Sequence, residues 1–179
     1  MSLSTDNYFE RVQQVHRKLN IPESFAIDRK LPLHIEARDL VQVICPRVEK
    51  THRLIAPAAD AWANMETAAL KDGITLLLVS TFRSMEYQLA LIEKKLQRGQ
   101  DILEILTLLA PPGYSEHHTG RAIDLTTDNC PPCVERFEDT DAFHWLTGHA
   151  ARFSFSLSYP RDNPYGFVYE PWHWAYQQV

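Results

Sequence analysis

Two adjacent histidines and an aspartate stand close together in the stretch PGYSEHHTGRAIDL, which covers residues 112–125. A catalytic zinc ion is held by three protein ligands and keeps a further position open for water or substrate. His117 or His118 could supply one ligand, and Asp124 could supply another. The stretch therefore indicates part of a metal site, whose third ligand must come from elsewhere in the chain.

A candidate for that third ligand lies near the end of the chain, where residues 170–173 read EPWH. The proline biases Glu170 away from helix, so this is not the helical HExxH zinc motif. A polyproline-like turn has a period of three residues, and at Pro171 it would bring Glu170 and His173 to the same side. His173 could then bind the metal while Glu170 accepts a proton from water. In the alternative interpretation Asp124 caps a loop and His173 is an ordinary core histidine.

The segment before Asp124 bears on the space around it. Residues 120–125 alternate as in a strand, which puts Gly120, Ala122 and Asp124 on one face. Because two of these residues are very small, we expect open space above the sheet beside the carboxylate. That space would admit an ion and a substrate, and it would let a loop histidine fold back toward Asp124.

Helices and strands must position these groups, and hydrophobic spacing predicts where they lie. Helices are predicted at residues 6–19, 58–71, 85–96, 101–109 and 140–152. Strands are predicted at residues 40–44, 74–80, 121–127 and 153–159, and in the aromatic stretch GFVYEPWHWAY near the end. Because helices dominate the first half and strands the second, the predicted fold class is α+β, with helices packed on an antiparallel sheet.

Composition limits the classes of function. The chain has 179 residues, of which 45% are hydrophobic and 23% charged, and its formal net charge is -5. It has no Lys/Arg cluster of the kind that binds phosphates, so small ligands and peptides are the expected partners, without nucleic acid or an obligate protein partner. No segment approaches the roughly 20 apolar residues of a membrane span, and no signal-peptide pattern is present. We expect a cytoplasmic location for the chain as given, or a periplasmic one if a targeting segment was removed.

The cysteines have no obvious structural role. Three are too few for a disulfide framework. Cys130 and Cys133 form a CxxC that could be a redox pair, half a zinc site or a local disulfide. Because no second CxxC is present, the favoured interpretation is two thiols in a proline-stiffened loop. Cys45 has the surroundings of a small buried hydrophobic residue.

Four segments, taken together, resemble the VanY-type D-alanyl-D-alanine carboxypeptidases, a branch of the LAS-type zinc peptidases. They are STFRSMEYQ, PGYSEHHTGRAIDL, FSLSYP and YEPWHWAY, in the order expected for that family. The resemblance covers residues 57–176. It implies one peptidase domain over residues 1–179, in which a helical or irregular extension (residues 1–56) precedes the catalytic core (residues 57–176). The implied fold is the LAS/hedgehog type, an antiparallel sheet with helices packed on it.

The resemblance also implies a metal site. The family pattern SxHxxGxAxD selects His117 rather than His118 as a ligand. The implied Zn²⁺ ligands are then His117, Asp124 and His173, and Glu170 is the implied general base.

Further matches concern the substrate. Arg83 falls on a family arginine, and a guanidinium suits either a terminal carboxylate or the oxyanion of a tetrahedral intermediate. The alternative for Arg83 is a surface ion pair with Glu86 at helical spacing. The implied substrate-binding residues are Gln88, Ser115 and Tyr159.

The implied activity is removal of the C-terminal D-alanine from peptidoglycan stem peptides or their precursors. One alternative is an L,D-carboxypeptidase that acts on tetrapeptides during cell-wall recycling. Another is a non-catalytic zinc-binding module. Glu170 and Arg83 disfavour the module, because a structural zinc needs neither a base nor a carboxylate anchor. A fourth protein ligand, for which Cys130 or Cys133 is a candidate, would favour it.

Overall fold

The computed structural model describes residues 5–44 and 51–177, with side chains from residue 7 onward. Cys45 lies outside the described residues. The helices are α1 (Thr5–Lys18), α2 (Phe25–Asp28), α3 (Ala56–Lys71), α4 (Met85–Leu96), α5 (Ile102–Leu108) and α6 (Asp141–His149). The strands are β1 (Leu40–Val43), β2 (His52–Ile55), β3 (Leu77–Ser80), β4 (Ala122–Thr126), β5 (Phe155–Leu157) and β6 (His173–Tyr176). Short 3₁₀ helices cover Glu116–Thr119, Glu135–Asp139 and Ala150–Phe153.

The main sheet has four strands in the order β3-β4-β6-β5, and every neighbouring pair is antiparallel. The predicted α+β class with an antiparallel sheet is therefore confirmed. β4 lies inside the sheet and is buried along its whole length. Its register pairs Asp124 with Ser80 of β3 on one side and with His173 of β6 on the other. Directly opposed residues of antiparallel strands share a face, so these three side chains lie in one row across the sheet.

The two faces of the sheet carry different kinds of side chain. One face carries Ile123, Leu125 and Trp174, which pack with residues of α3 and α6 in the larger hydrophobic core. Alternation along β4 and β6 sends Asp124 and His173 to the opposite face. The apolar core therefore supports the sheet from one side and leaves the other side for polar groups.

The N-terminal part of the chain is packed against the rest of the fold. Leu19, Ile21 and Phe25 form a second apolar cluster with residues of α4 and α5. Beyond α2, the backbone N–H of His34 donates to the Gly113 carbonyl, and the N–H of Ala37 donates to the His118 carbonyl, at 2.8 Å each. The predicted extension therefore runs alongside the loop that carries His117.

Two short elements, a helix and a strand, were not predicted from the sequence. Helix α2 and strand β2 have four residues each, which is too short for a periodic pattern to be recognised. The predicted strand 153–159 is also shortened, because its first residue ends a 3₁₀ helix and β5 covers only Phe155–Leu157. Among the described residues, no helix is both long and apolar enough to cross a membrane.

His16 on α1 makes the stability depend on pH. Its Nε2 donates to the carbonyl oxygen of Pro112 at 2.8 Å, because that oxygen can only accept. Burial lowers the pKa of His16, and the bond to Pro112 only partly opposes this shift. Below about pH 6.5 the imidazole of His16 is therefore more fully protonated in the unfolded chain than in the folded protein. The free energy of unfolding should fall with pH there, by up to about 1.4 kcal/mol per pH unit from this group.

His16→Gln tests this expectation, since an amide can donate to the same carbonyl without titrating. Urea unfolding of the variant should show a shallower loss of stability from about pH 7 to about pH 5 than the wild type. An equal slope in the two proteins would contradict the assignment.

Candidate active site

His117, Asp124 and His173 lie together on the polar face of the sheet, and all three are buried. Their nearest donor atoms lie within 4.8 Å of one another. Nε2 of His117 is 3.2 Å from Oδ2 of Asp124, and Nδ1 of His173 is 3.0 Å from Oδ1. Two ligands of a tetrahedral zinc ion with bonds of about 2.1 Å are roughly 3.4 Å apart. The three side chains that the resemblance implied thus have the spacing of a zinc triad.

The hydrogen bonds of His117 support a cation at this point. Its Nδ1 lies 2.7 Å from the carbonyl oxygen of Thr81, which can only accept, so Nδ1 carries the proton. Burial, with Arg83 nearby, lowers the pKa of His117 to about 4, so the ring is neutral. Its Nε2 lone pair then points at an oxygen of Asp124. Two acceptors facing each other at 3.2 Å are stabilised when a cation lies between them.

His173 is held between two carboxylates. While Nδ1 faces Asp124, Nε2 lies 2.8 Å from Oε2 of Glu116. Burial disfavours the charged ring, but the hydrogen bonds to Asp124 and Glu116 outweigh it and raise the pKa of His173 to about 10. Glu116 was not predicted from the sequence. Its position directly before His117 was the one available signal, and a glutamate there also fits an ordinary solvated side chain.

Arg83 belongs to the site and does not pair with Glu86. Its Nε donates to Oγ of Ser80 at 2.8 Å, and its Nη2 donates to Oδ2 of Asp124. Glu86 pairs instead with Arg11 at 2.6 Å on the surface. The surface ion pair considered for Arg83 is therefore wrong. Burial would raise the pKa of Asp124, but the Arg83 guanidinium and the hydrogen bond with His173 help to hold it well below its usual value.

Glu170 lies beside the triad because of a turn. The N–H of His173 donates to the Glu170 carbonyl at 3.0 Å, which closes a β-turn with Pro171 at its favoured second position. The expected polyproline-like turn is thus a β-turn, with the same result for the two side chains. Oε2 of Glu170 is 3.8 Å from Nδ1 of His173. Burial raises the pKa of Glu170 to about 7, a value suited to a group that must both accept and donate a proton.

The triad, Glu170 and Arg83 line one cavity, and the three predicted substrate residues line it too. Tyr159 packs its ring 4.7 Å from that of His173, and its carbonyl accepts from the N–H of Glu170 at 3.0 Å. Ser115 is buried at the start of the 3₁₀ helix that carries His117. The remaining wall is mostly apolar, with Leu108, Leu109, Phe167 and Trp172.

Gln88 lines this cavity and has a buried side-chain acceptor. Its Nε2 donates to the carbonyl of Ala110 at 2.8 Å, which settles the orientation of the amide because a carbonyl cannot donate. Its Oε1 is buried and has no hydrogen-bond partner among the described residues. An unpaired buried acceptor costs free energy, so it is expected to meet an N–H of a bound ligand.

His118 has a structural task. Its Nδ1 donates to the Arg83 carbonyl at 2.7 Å, and its Nε2 accepts from the N–H of Gly113 at 3.1 Å. Both ring nitrogens are therefore used by the backbone, and the ring is fully buried. His118 holds the loop that presents His117 and has no nitrogen left for a metal.

The expected open space beside Asp124 is present as the cavity lined by the triad, but Gly120 does not line it. Gly120 lies before β4 and has a φ of 65°, and a Cβ at this position would lie 2.7 Å from Cδ2 of Leu40 and 3.2 Å from N of Ile55. Its small size lets the β1–β2 hairpin pack closely. The predicted strand began too early, so the alternation assigned Gly120 to a face that it does not share with Asp124.

Neither Cys130 nor Cys133 forms a disulfide in the described part of the chain, and neither belongs to the triad. Cys133 lines the cavity. Among the described residues, the cluster with metal-ligand geometry therefore contains three ligands and no cysteine.

Known proteins resemble this chain in sequence and in structure. The sequence model of the family described as VanY, D-alanyl-D-alanine carboxypeptidase, matches residues 51–179. The chain belongs to the VanY family. A D-alanyl-D-alanine carboxypeptidase of Enterococcus faecalis (strain ATCC 700802 / V583) is 30% identical over 119 residues, which is 61% of this chain and 42% of that relative. The chain thus spans less than half the length of that VanY-family relative.

Two solved structures show the same fold as this VanY-family chain. The LdcB LD-carboxypeptidase shares 32% identity with a TM-score of 0.71, over 81% of this chain and 71% of the other. A variant of the vancomycin-resistance D,D-pentapeptidase VanY in complex with Zn(II) shares 23% identity with a TM-score of 0.61, over 83% and 88%. The predicted LAS-type fold is thereby confirmed.

Proposed function

We propose that this chain is a zinc-dependent carboxypeptidase that removes the C-terminal D-alanine from peptidoglycan stem peptides or their precursors. One observation carries the proposal: the buried triad of His117, Asp124 and His173 lines the same cavity as Glu170 and Arg83, in a chain of the VanY family. Two imidazoles and one carboxylate are a donor set that suits catalytic zinc.

The residues around the triad have the properties that amide hydrolysis requires. Zinc held by the triad would supply Lewis acidity for the scissile carbonyl and acidity for a water molecule. Glu170, with its raised pKa, takes a proton from the attacking water and passes it to the leaving amine. Arg83 offers guanidinium N–H groups beside Asp124, where negative charge on the carbonyl oxygen would develop.

The rest of the cavity suits the end of a peptide. Gln88 has an unpaired acceptor, Oε1. The terminal carboxylate of a peptide cannot donate a hydrogen bond to it, so its expected partner is an N–H group of the substrate. Ser115 and Tyr159 add hydroxyl groups to the same wall. Apolar neighbours such as Leu109 and Phe167 suit a small methyl-bearing residue such as alanine.

A second candidate function is an L,D-carboxypeptidase that shortens tetrapeptides. The likeness to LdcB favours it, since that structure is an LD-carboxypeptidase at 32% identity. A non-catalytic zinc module is disfavoured, because the triad has three ligands in the described part of the chain and lines a cavity with Glu170.

The substrate can be identified by incubating the purified, zinc-loaded protein with muropeptide pentapeptides and tetrapeptides and following the loss of one alanine by mass spectrometry. Loss from the pentapeptide alone supports the proposal. Loss from the tetrapeptide alone supports the L,D-carboxypeptidase. A zinc-loaded protein that shortens neither peptide contradicts both enzymatic candidates.

Replacing Gln88 by methionine keeps the length of the side chain and removes the acceptor. We expect kcat/KM for the peptide to fall by roughly 10-fold, the value of one hydrogen bond. Steady-state kinetics measure this fall, and zinc content is the control because Gln88 does not contact the triad. An unchanged kcat/KM would show that Oε1 does not meet the substrate.

A further inference from the structure

Glu116 and His117 are neighbours in the chain but face different members of the triad. They begin the 3₁₀ helix Glu116–Thr119, in which successive side chains are about 120° apart around the axis. His117 points to Asp124, while Glu116 reaches Nε2 of His173 at 2.8 Å from the other side of that ring. A single helical turn thus provides one ligand and the partner of another.

The contact with Glu116 determines which ring nitrogen of His173 can bind a metal. A carboxylate only accepts, so its hydrogen bond requires the proton on Nε2. Nδ1 also faces a carboxylate, Asp124 at 3.0 Å, so without metal both ring nitrogens carry a proton. When a metal binds at the triad, the proton held by Glu116 stays on Nε2, and Nδ1 is the nitrogen that loses its proton and binds the metal. Without Glu116 the ring could carry its proton on Nδ1 instead, and the triad would lose a lone pair.

The two ligand histidines are oriented by different groups. His117 donates to a neutral backbone carbonyl of Thr81, whereas His173 donates to a charged side chain. A carboxylate behind a ligating imidazole increases its basicity more than a carbonyl does, and outer partners of this kind are worth about 10- to 100-fold in metal affinity. The Glu116 side chain is 23% exposed, so solvent screens it only in part.

We infer that Glu116 is a positioning residue for the metal site: it holds His173 in the tautomer and ring orientation that the triad needs, and thereby strengthens metal binding. This inference rests on the proposed function only in that the metal binds at the triad. Glu116 touches His173 and does not line the substrate cavity, so its effect reaches the reaction through that ligand.

The test measures the zinc affinity of the protein by competition with a chelating dye. Glu116→Ala should weaken zinc binding by about 10- to 100-fold. Glu116→Gln, which keeps an acceptor of the same shape without the charge, should lose only part of this affinity. The visible spectrum of the cobalt-loaded protein should change in the alanine variant and be largely restored in the glutamine variant, because it reports the geometry of the ligands.

A surface substitution provides the matched control. Glu93 on α4 pairs with Lys18 at 2.7 Å and is absent from the cavity, so Glu93→Gln should bind zinc as the wild type does. If Glu116→Ala does not fold, the zinc affinity of Glu116→Gln is the test. Wild-type zinc affinity in Glu116→Gln overturns the inference. Wild-type affinity and an unchanged cobalt spectrum in the alanine variant overturn it as well.

Failure of the inference can be told apart from failure of the proposed function. If the wild type binds zinc and shortens the peptide, and the Glu116 variants do both equally well, only the positioning role is wrong. If the wild type binds no zinc, or zinc binding survives replacement of Asp124, the metal site itself is wrong.

Discussion

Replacing Glu170 by glutamine is expected to lower kcat by about 10²- to 10⁴-fold while the metal stays in place. The carboxylate lines the cavity beside the triad and lies 3.8 Å from Nδ1 of His173, close enough to serve bound water without being needed as a ligand. Glutamine has the same shape and cannot accept the proton. The measurements are single-turnover and steady-state cleavage of the peptide, together with zinc content.

Stability provides the control for this variant. Burial raises the pKa of Glu170 to about 7, which means that the ionised carboxylate is less stable in the folded protein than in water. The free energy of unfolding should therefore be unchanged or higher in Glu170→Gln. Full activity in a zinc-loaded variant would show that Glu170 is not the base, and loss of zinc would show that it is a ligand.

Replacing Asp124 by asparagine should have two separate effects. The triad loses its only anionic ligand, so bound zinc should fall from about one per chain to a small fraction. In the absence of metal, the fold should also lose about 3–5 kcal/mol, because the guanidinium of Arg83 stays buried without its partner. Zinc content and urea unfolding in the presence of a chelator measure the two effects separately.

The surface pair of Lys18 and Glu93 is the matched control for stability. Its side chains are 63% and 37% exposed, compared with 14% and 3% for Arg83 and Asp124. Glu93→Gln should therefore cost at most about 1 kcal/mol. Equal destabilisation by the two substitutions would show that the pair of Arg83 and Asp124 is no stronger than an exposed one.

Local patterns predicted the local parts of this fold. Helices α3 and α4 lie within about two residues of their predicted bounds, because a long apolar period of 3.6 residues has few competing interpretations. Asp101 was predicted to begin a helix, and its side chain accepts from the N–H groups of Leu103 and Glu104. The mixture of helix and antiparallel sheet followed from the order of such elements.

The site could not be assembled from spacing alone. Asp124 and His173 meet because β4 pairs with β6 in one particular register, and 48 residues separate them in the chain. Spacing also left His117 and His118 equivalent, and the family resemblance chose between them. The structure gives the physical reason: the backbone occupies both nitrogens of His118 and only one of His117.

The sequence-based predictions failed at residues whose surroundings are determined by close packing between distant segments. Gly120 was assigned to the face of Asp124, whereas its missing side chain makes room for the hairpin that carries Leu40 and Ile55. Glu116 was overlooked, because a glutamate in a loop gives no sign that its partner is a histidine 57 residues later. Both facts depend on contacts between segments far apart in the chain.

The most direct test of the account is whether alanine release depends on metal in this triad. Protein stripped with a chelator, the same protein resupplied with zinc, and Asp124→Asn with excess zinc should be incubated with the muropeptide pentapeptide and followed by mass spectrometry. We predict that only the resupplied wild type releases alanine. Release by the stripped protein, or by Asp124→Asn at the wild-type rate, would contradict a zinc-dependent carboxypeptidase built on His117, Asp124 and His173.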